Sequence, residues 1–493
     1  MKYLLAIEAS DFSVKAMLVD KNGEVVYSTQ KSLKPLHPFH GHIELDPEEI
    51  FTTVKEVVLD LIDQSEIDIF SIQGLGVTSA CGTVIVWDKE TKKPLWNAIL
   101  AGDNRTRAIC HSLKDHQSTI HEKTGAPLST YGPATKLRWI LDNAKNVNLE
   151  NCLFGGLNTY LLWRLTDSKV FITDMSSAAK SLLFNIHLQT WDDDLIKIFG
   201  VVKWMLPEIR SCNEIYGFVD EGLFGVKTPI CSSVSAVGGA MFAADCHKMG
   251  DVHLLAGASA FLVMNVGNSP IKSTNSLVST VAFSLKNRPA TFCLEAMTPS
   301  AGSVIEWLES HLGIIRSAKE VEGLAYSVPD SGGVYFVPAI TGLNFSLDKS
   351  RVQASLLGLS PSTNIGHICR ACLEGIAFLI RDGFELYKQN SNVHSNKITC
   401  SGGMSENVFF LQITADLMGE TIVRPKEIQL SLLGAAYLAG LTLGIWKSQE
   451  QIQTLFSFDR AFKPSLEEKD KIVMIRDWKK AVKSALVFND IVD

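Results

Sequence analysis

The sequence has no excess of positive charge and no long uninterrupted apolar run. Its 493 residues include 46 Lys and Arg against 53 Asp and Glu, so the net charge is −7. That balance leaves no basic surface of the kind that binds nucleic acid. The most apolar stretch, 432–446, is short and interrupted by glycine. It predicts a buried helix and no membrane span.

The sequence also lacks an ordered cysteine pattern. Ten cysteines are scattered along the chain without the spacing of a disulfide framework. Cys369 and Cys372 form a C-x-x-C pair inside a predicted helix, but no second cysteine pair completes a metal or redox site. No secretory leader precedes the first predicted strand, so we expect a reducing, cytoplasmic setting.

The chain is long enough for two domains, and its two halves follow one plan. Each half opens with hairpin strands and then alternates helices and strands, which predicts two duplicated α/β domains around a cleft. We assign them to 1–245 and 246–493, packed closely because no low-complexity linker separates them. The predicted strands are 3–7, 15–19, 24–28, 72–78, 83–87, 252–255, 260–266, 280–284, 291–294, 334–338 and 398–400. The principal predicted helices are 47–65, 302–311, 365–389 and 408–418.

Several sequence runs, taken in order along the chain, resemble the FGGY carbohydrate kinases and, within them, the glycerol kinases. The runs include GHIELDP at 41–47, IVWDKET at 85–91, TKLRWIL at 135–141, LFNIH at 183–187, YFVPA at 335–339, LEGIA at 373–377, SGG at 401–403 and LGAAYLAG at 433–440. The resemblance implies two actin-like ATPase domains of the ribonuclease H-like type. The first domain would be the substrate side and the second the nucleotide side of a cleft that binds ATP and Mg²⁺.

The residues expected to do the chemistry depart from the family pattern. At a predicted strand-to-helix junction the family has an Asp-Gln pair, whose aspartate is the general base, and this chain has Ala236 and Val237. The Arg-Glu pair that contacts the polyol is replaced by Cys81 and Gly82. Each lost hydrogen-bond partner costs on the order of a few kcal/mol in binding a buried polyol. The vestigial substrate pocket then consists of Cys81, Gly82, Tyr131, Ala236, Val237 and Phe261.

No other carboxylate is expected to replace the missing base. Asp245 lies nine residues beyond Ala236 on the following helix, and Asp103 lies nearer the expected cleft. Neither is expected within hydrogen-bond reach of an attacking hydroxyl. Ala101 and Gly102 also replace a Trp-Gln pair of the family pocket.

The first phosphate turn reads EASDFS at 8–13 against the family's Asp-x-Gly-Thr-Thr-Ser. Glu8 retains an acid for a weak magnesium site, and Ser13 retains a hydroxyl. Ser10 replaces the glycine that allows close backbone approach, and Asp11 brings a negative charge toward the phosphate. The alternative interpretation of this segment is an ordinary hairpin turn.

The nucleotide side is better preserved. A Gly-Ala-Ser turn at 257–259 replaces the family's Gly-Thr-Gly and retains one glycine for backbone contact with phosphate. The SGGM run at 401–404, followed by Asn407, suits a backbone approach to a purine. After 341–343, the family's aromatic and proline-containing loop is replaced by NFSLDK at 344–349. We assign nucleotide contacts to Asp11, Ser13, Gly257, Ala258, Gly302, Gly403, Met404 and Asn407.

These departures cluster in the expected cleft, whereas the packing runs are intact. We therefore predict a glycerol-kinase-like pseudokinase that acts by binding, with weakened ATP and Mg²⁺ affinity. The alternative is an active ATP-dependent kinase that phosphorylates glycerol or another small polyol. A third hypothesis is a structural subunit, in a homo-oligomer or in a hetero-oligomer with an active paralogue. Association with a mitochondrial surface, which the resemblance raises, stays open.

Overall fold

The computed structural model describes residues 2–145, 148–273, 277–340, 342–343, 352–391 and 393–490. The departure predicted at 344–349 lies outside these residues. Strands of the first half are β1 (Tyr3–Ala9), β2 (Ser13–Asp20), β3 (Val25–Ser32), β4 (Glu44–Leu45), β5 (Ile72–Ser79), β6 (Ile85–Asp88), β7 (Ala98–Ile99), β8 (Cys152–Gly155), β9 (Ile172–Asp174), β10 (Phe184–Asn185), β11 (Thr190–Trp191), β12 (Glu208–Arg210), β13 (Gly217–Phe218) and β14 (Pro229–Ser235). Its helices are α1 (Pro47–Ser65), α2 (Arg107–Ser112), α3 (Gln117–Thr124), α4 (Pro133–Asn143), α5 (Leu157–Leu165), α6 (Met175–Ala178), α7 (Asp193–Phe199), α8 (Glu221–Phe224) and α9 (Ala236–Ala243).

The second half continues the same mixture of elements. Its strands are β15 (Asp251–Ala256), β16 (Ala260–Gly267), β17 (Val278–Phe283), β18 (Thr291–Thr298), β19 (Tyr335–Val337), β20 (Ser355–Leu357), β21 (Lys397–Ser401), β22 (Ile422–Pro425) and β23 (Phe458–Phe462). Its helices are α10 (Gly302–Glu306), α11 (Glu320–Tyr326), α12 (Ile365–Asn390), α13 (Val408–Met418), α14 (Leu430–Thr442), α15 (Gln449–Gln453) and α16 (Glu468–Asp490).

Two large mixed sheets repeat one topology. The first has the order β13-β14-β5-β1-β2-β3, and the second has the order β17-β18-β16-β15-β21-β22-β23. In each, three antiparallel strands (β3-β2-β1 and β18-β16-β15) are followed by two parallel ones (β5-β14 and β21-β22). The predicted duplication of an α/β unit is therefore confirmed.

Helix α1 begins where the local sequence predicts. Asp46 caps α1 by accepting the Glu48 N–H, and Pro47 occupies the first turn, where its missing N–H costs nothing. The predicted helix at 302–311 is interrupted, because α10 ends at Glu306 and a π-helical turn covers Trp307–His311.

A shared core joins the two halves. Helices α9 and α14 pack against each other so closely that a Cβ on Gly434 would lie 2.0 Å from the Gly239 carbonyl oxygen. Helix α14 also lies on the first sheet, where a Cβ on Gly76 would lie 2.4 Å from the Ala435 carbonyl oxygen. One apolar cluster accordingly contains residues of β1, β14, α9, β18 and α14. The assigned boundary at 245/246 stays a prediction, since this core draws on both sides of it.

Candidate active site

The junction between β14 and α9 is formed by Ser235, Ala236 and Val237. Ser235 caps α9 by accepting the Gly238 N–H at 3.1 Å, and its own N–H donates to Ser176 Oγ at 2.9 Å. Ala236 is the first residue of the helix, and Val237 is buried in the shared core. The junction therefore presents a methyl group where a base is expected.

The two carboxylates considered from the sequence, Asp103 and Asp245, both have other partners. Asp103 is fully buried, accepts the Ile43 N–H at 2.6 Å and pairs with Arg105 at 2.7 Å. Asp245 pairs with Lys397 at 2.5 Å, at the end of α9. Each of these two carboxylates is therefore held in a structural ion pair.

The predicted pocket residues Cys81, Gly82 and Tyr131 do lie together. The Tyr131 hydroxyl donates to the Cys81 carbonyl at 3.2 Å. Gly82 has φ +97°, and a Cβ there would lie 3.0 Å from Ala101 Cβ and 3.1 Å from the Tyr131 ring. Burial raises the pKa of the Cys81 thiol to about 12, so the thiol is protonated at neutral pH.

A buried lysine, which the sequence analysis did not single out, lies beneath this pocket. Lys136 Nζ on α4 donates to the carbonyls of Gly82 at 2.8 Å, Ala101 at 3.1 Å and Tyr131 at 3.2 Å. Burial lowers its pKa to about 8, although the Asp103 and Asp11 carboxylates act in the opposite direction. Lys136 therefore fixes the backbone of the altered pocket.

A second lysine, Lys180, joins the first half of the chain to the second through an ion pair. Lys180 forms a buried ion pair with Glu295 on β18. Burial alone would lower the pKa of Lys180, but the Glu295 carboxylate outweighs it and raises the pKa. The same lysine acts electrostatically on Cys81, so this ion pair lies beside the altered pocket.

The first phosphate turn is closed by its own side chain. Ser10 Oγ accepts the Ser13 N–H at 3.1 Å and the Phe12 N–H at 3.4 Å, and it donates to the Ser13 carbonyl. A phosphate would require those same backbone N–H donors. Ser13 Oγ also lies 3.2 Å from Ser10 Oγ, within the turn. The turn is therefore a hairpin whose Phe12 and Ser13 N–H groups already have a hydrogen-bond acceptor, and phosphate binding by Asp11 and Ser13 stays a prediction.

The Asp11 side chain points toward Thr83 and Ala101. Its carboxylate accepts from Thr83 Oγ1 at 2.5 Å and from the Ala101 N–H at 3.3 Å. Burial raises its pKa, while the Thr83 hydroxyl and the Lys136 charge lower it. The structure thus places Asp11 with Cys81 and Gly82, among the groups of the altered pocket.

Glu8 does not lie in a multidentate metal site. Its carboxylate pairs across the hairpin with Lys15 at 3.3 Å. Over the described ranges, no cluster of three or more His, Cys, Asp or Glu side chains could hold a metal ion. Mg²⁺ prefers six oxygen ligands in octahedral geometry, and a single carboxylate that is paired with a lysine supplies only a small part of that set. These residues do not by themselves fit the ion, and Glu8 as a ligand stays a prediction.

The Gly-Ala-Ser turn at 257–259 and the start of α10 are joined by backbone hydrogen bonds. The carbonyl of Gly257 accepts the Gly302 N–H at 2.9 Å, and that of Ala258 accepts the Ala301 and Ser303 N–H groups. A Cβ on Gly302 would lie 2.7 Å from the Gly257 oxygen, so this approach needs glycine. Gly257, Ala258 and Gly302 therefore lie together, and their contact with nucleotide stays a prediction.

The Gly402–Gly403 turn has one packed and one open face. Gly402 has φ +89°, and a Cβ there would lie 2.5 Å from the Ala256 carbonyl oxygen. In the described structure nothing stands within 4 Å of a Cβ on Gly403. Asn407 caps α13 by accepting the Phe410 N–H at 2.8 Å, and Met404 is buried in the intervening turn. This corner leaves room for a ligand beside Gly403.

The two turns predicted to contact nucleotide, at 257–259 and 402–403, share one edge of the second sheet. They follow β15 and β21, which are neighbouring parallel strands, so their carboxyl ends meet. Ligands bind at such edges in open α/β sheets. Phe261, the remaining predicted pocket wall, is half-buried on β16, opposite Leu255 of β15.

Two family models match almost the whole chain. The N-terminal domain model of the FGGY family of carbohydrate kinases matches residues 3–243, and the C-terminal domain model matches 252–443. The chain belongs to the FGGY family of carbohydrate kinases. The predicted family and its two-domain actin-like fold are thereby confirmed.

Relatives of this FGGY chain match it over its full length. Glycerol kinases of Burkholderia multivorans and Paraburkholderia xenovorans are each 36% identical, with 99% of both chains covered. The crystal structure of Plasmodium falciparum glycerol kinase with ADP has a TM-score of 0.87 at 29% identity, covering 99% of this chain and 98% of that one. Gluconate kinase of Lactobacillus acidophilus, at 23% identity and a TM-score of 0.84, shares the fold.

The structure adds three features to this FGGY cleft that the sequence analysis missed: Lys136, the Lys180–Glu295 pair and the closure of the first turn by Ser10. Lys136 lies in a run quoted for the family resemblance, but nothing in sequence spacing shows which carbonyls it contacts. In the part of the chain that the structure describes, every helix is too short or too polar to cross a membrane.

Proposed function

We propose that this FGGY protein is a glycerol-kinase-like pseudokinase that acts by binding. The observation that carries the proposal is the β14–α9 junction, where Ala236 and Val237 replace a base and its neighbour. Loss of a positioned general base lowers the rate by roughly 10²–10⁴. Asp103 and Asp245 are held in ion pairs, which supports the view that neither substitutes for it.

The phosphate side supports weakened binding of ATP and Mg²⁺. Ser10 occupies N–H donors of the first turn, and Glu8 is paired with Lys15. The second turn and the open face of Gly403 support retained binding of the adenosine and its first phosphates. ADP should therefore bind at least as well as ATP, because the third phosphate gains little from the first turn.

The alternative is an active ATP-dependent kinase acting on glycerol or a related polyol. It is favoured by full-length identity of 36% to proteins named glycerol kinase. Under this alternative the buried Asp11 carboxylate lies on the substrate side, next to Thr83. Turnover of ATP with glycerol would decide for the alternative.

Calorimetry tests the proposal directly. Purified parent protein and an Ala236→Asp variant are titrated with ADP, Mg-ATP and glycerol, and both are assayed for glycerol phosphorylation. We expect weak ADP binding, weaker Mg-ATP binding, no glycerol response and no turnover in either protein. Thermal unfolding confirms that both are folded. Robust glycerol phosphorylation by the parent would overturn the proposal.

We also infer the organisation in which the protein acts. The substrate-side domain is assigned to 1–245 and the nucleotide-side domain to 246–493. The protein is proposed to act in the cytoplasm, in a homo-oligomer or in a hetero-oligomer with an active paralogue. Co-purification of differently tagged copies, with and without the paralogue, distinguishes these assemblies, and a strictly monomeric protein would contradict both.

A further inference from the structure

A buried histidine joins the two strands that carry the nucleotide turns. His253 lies on β15, four residues before Gly257, and is fully buried. Its Nδ1 lies 2.8 Å from Thr399 Oγ1, and its Nε2 lies 2.9 Å from Ser401 Oγ. Both hydroxyls belong to β21, two residues apart, and therefore lie on one face of that strand. Ser401 is the residue directly before Gly402.

The hydrogen bonds favour one tautomer of the ring. Thr399 Oγ1 is placed to donate to the Val252 carbonyl at 3.3 Å, and with its proton there it accepts from His253 Nδ1–H. In the neutral ring, Nε2 is then the acceptor and Ser401 Oγ the donor. The imidazole ring forms one hydrogen bond with Thr399 Oγ1 and one with Ser401 Oγ. An apolar side chain at position 253 would remove both hydrogen bonds and leave the two hydroxyl groups buried.

The position of the ring links two parts of the site. On β15 the chain runs from His253 through Ala256 into the Gly257 turn. On β21 it runs from Ser401 into Gly402, which already packs against Ala256. A shift of β21 relative to β15 would therefore move Gly403 relative to Gly257. His253 opposes that shift from beneath both turns.

We propose that His253 is a positioning residue for the nucleotide site: it sets the spacing between the Gly257 turn and the Gly402–Gly403 turn. The inference rests on the proposed nucleotide binding at these turns. His253 does not touch the ligand and acts through Ser401. Its contribution is therefore to the affinity for nucleotide and to the order of the Gly402–Gly403 turn.

The test compares the parent with His253→Leu, His253→Gln and Thr124→Val. Gln retains a donor and an acceptor on one side chain. Thr124 is a matched control, since its buried hydroxyl donates to the Ile120 carbonyl in the first half. ADP affinity is measured by calorimetry, and backbone amide exchange is followed at 257–259 and 402–407 without nucleotide.

We expect His253→Leu to weaken ADP binding about 10-fold and to speed amide exchange at the two turns. His253→Gln should recover affinity to within about 3-fold of the parent, and Thr124→Val should change neither readout. Unchanged affinity and exchange in His253→Leu would overturn the proposal.

The same experiment remains informative if the parent does not bind ADP or if His253→Leu does not fold. If the parent does not bind ADP, the proposed nucleotide binding fails, and amide exchange alone decides whether His253 orders the turns. If His253→Leu does not fold, Ser401→Ala takes its place, because it removes only the hydrogen bond at the turn. Unchanged exchange at 402–407 in Ser401→Ala would then contradict the role assigned to His253.

Discussion

At the scale of single residues, Lys136 is the side chain on which the altered pocket depends most. Replacement by Met would remove one donor to three carbonyl groups and leave the buried Asp11 and Asp103 without its charge. We expect Lys136→Met to lower the free energy of unfolding by about 3 kcal/mol. Urea unfolding measures it.

A matched control lies on the same helix. Arg138 pairs with Asp142 at the surface of α4, and Arg138→Met should change the free energy of unfolding by less than about 0.5 kcal/mol. Equal effects of the two substitutions would show that Lys136 has no special role.

The sequence was enough to select candidate site residues, but it did not show which groups their side chains contact. The family resemblance, applied at 81, 82, 236 and 237, predicts that a base and a polyol-binding pair are missing, and this stays a prediction. The sequence could not show that Asp11 turns to Thr83, because the direction of a side chain in a turn depends on tertiary partners. The carbonyl groups that bind Lys136 come from three separate segments and have no local sequence signal.

At the scale of elements, a single substitution in the β1–β2 turn removes the hydrogen bonds by which Ser10 closes it. Ser10→Ala removes the hydroxyl that accepts the Phe12 and Ser13 N–H groups and frees both for a phosphate. We expect Mg-ATP affinity to rise about 3- to 10-fold and ADP affinity to change less. Calorimetry with both nucleotides measures the difference.

Ser10→Thr is the control for this turn, because it retains the hydroxyl. Its nucleotide affinities should match those of the parent. If Ser10→Ala also leaves Mg-ATP affinity unchanged, the closure of the turn does not limit binding. No gain in turnover is expected, because Ala236 is unchanged.

Elements were predictable where periodicity and capping agree. Helices α1, α12 and α13 match their predicted ranges to within a residue, and each begins at an Asp or Asn cap. The π-helical turn at Trp307–His311 was not predictable, since its residues suit an ordinary helix equally well. The close contact between α9 and α14 needs Gly239 and Gly434, whose pairing is not visible in the linear sequence.

At the scale of the whole molecule, the Lys180–Glu295 ion pair ties the two halves together beside the pocket. Lys180→Met leaves the buried Glu295 without its partner and should cost about 3 kcal/mol in the free energy of unfolding. The double variant Lys180→Met/Glu295→Leu should lose at least about 1 kcal/mol less than the sum of the single variants.

Urea unfolding of the four proteins gives the coupling energy. The exposed pair Lys92–Asp167 serves as the reference, with an expected coupling below about 0.5 kcal/mol. Additive losses at Lys180 and Glu295 would contradict a coupled ion pair between the halves.

The stability of the whole protein should fall in mild acid because two histidines are buried. Burial lowers the pKa of His253 to about 3 and that of His247 to about 4, whereas unfolded histidine titrates near 6.5. Below pH 6.5 the unfolded chain therefore binds protons that the native protein does not. The free energy of unfolding accordingly decreases as the pH is lowered. Buried Asp11 and Glu374, whose pKa values burial raises, act in the opposite direction.

Replacement of His253 isolates its share of this effect. Between pH 7 and pH 5, His253 should contribute about 2 kcal/mol of the loss in the free energy of unfolding. His253→Gln cannot titrate, so its stability should fall by about 2 kcal/mol less than that of the parent over this interval. The remaining titrating groups are common to both proteins and cancel in the comparison. An equal loss in both proteins would mean that His253 is protonated in the native state, which its complete burial opposes.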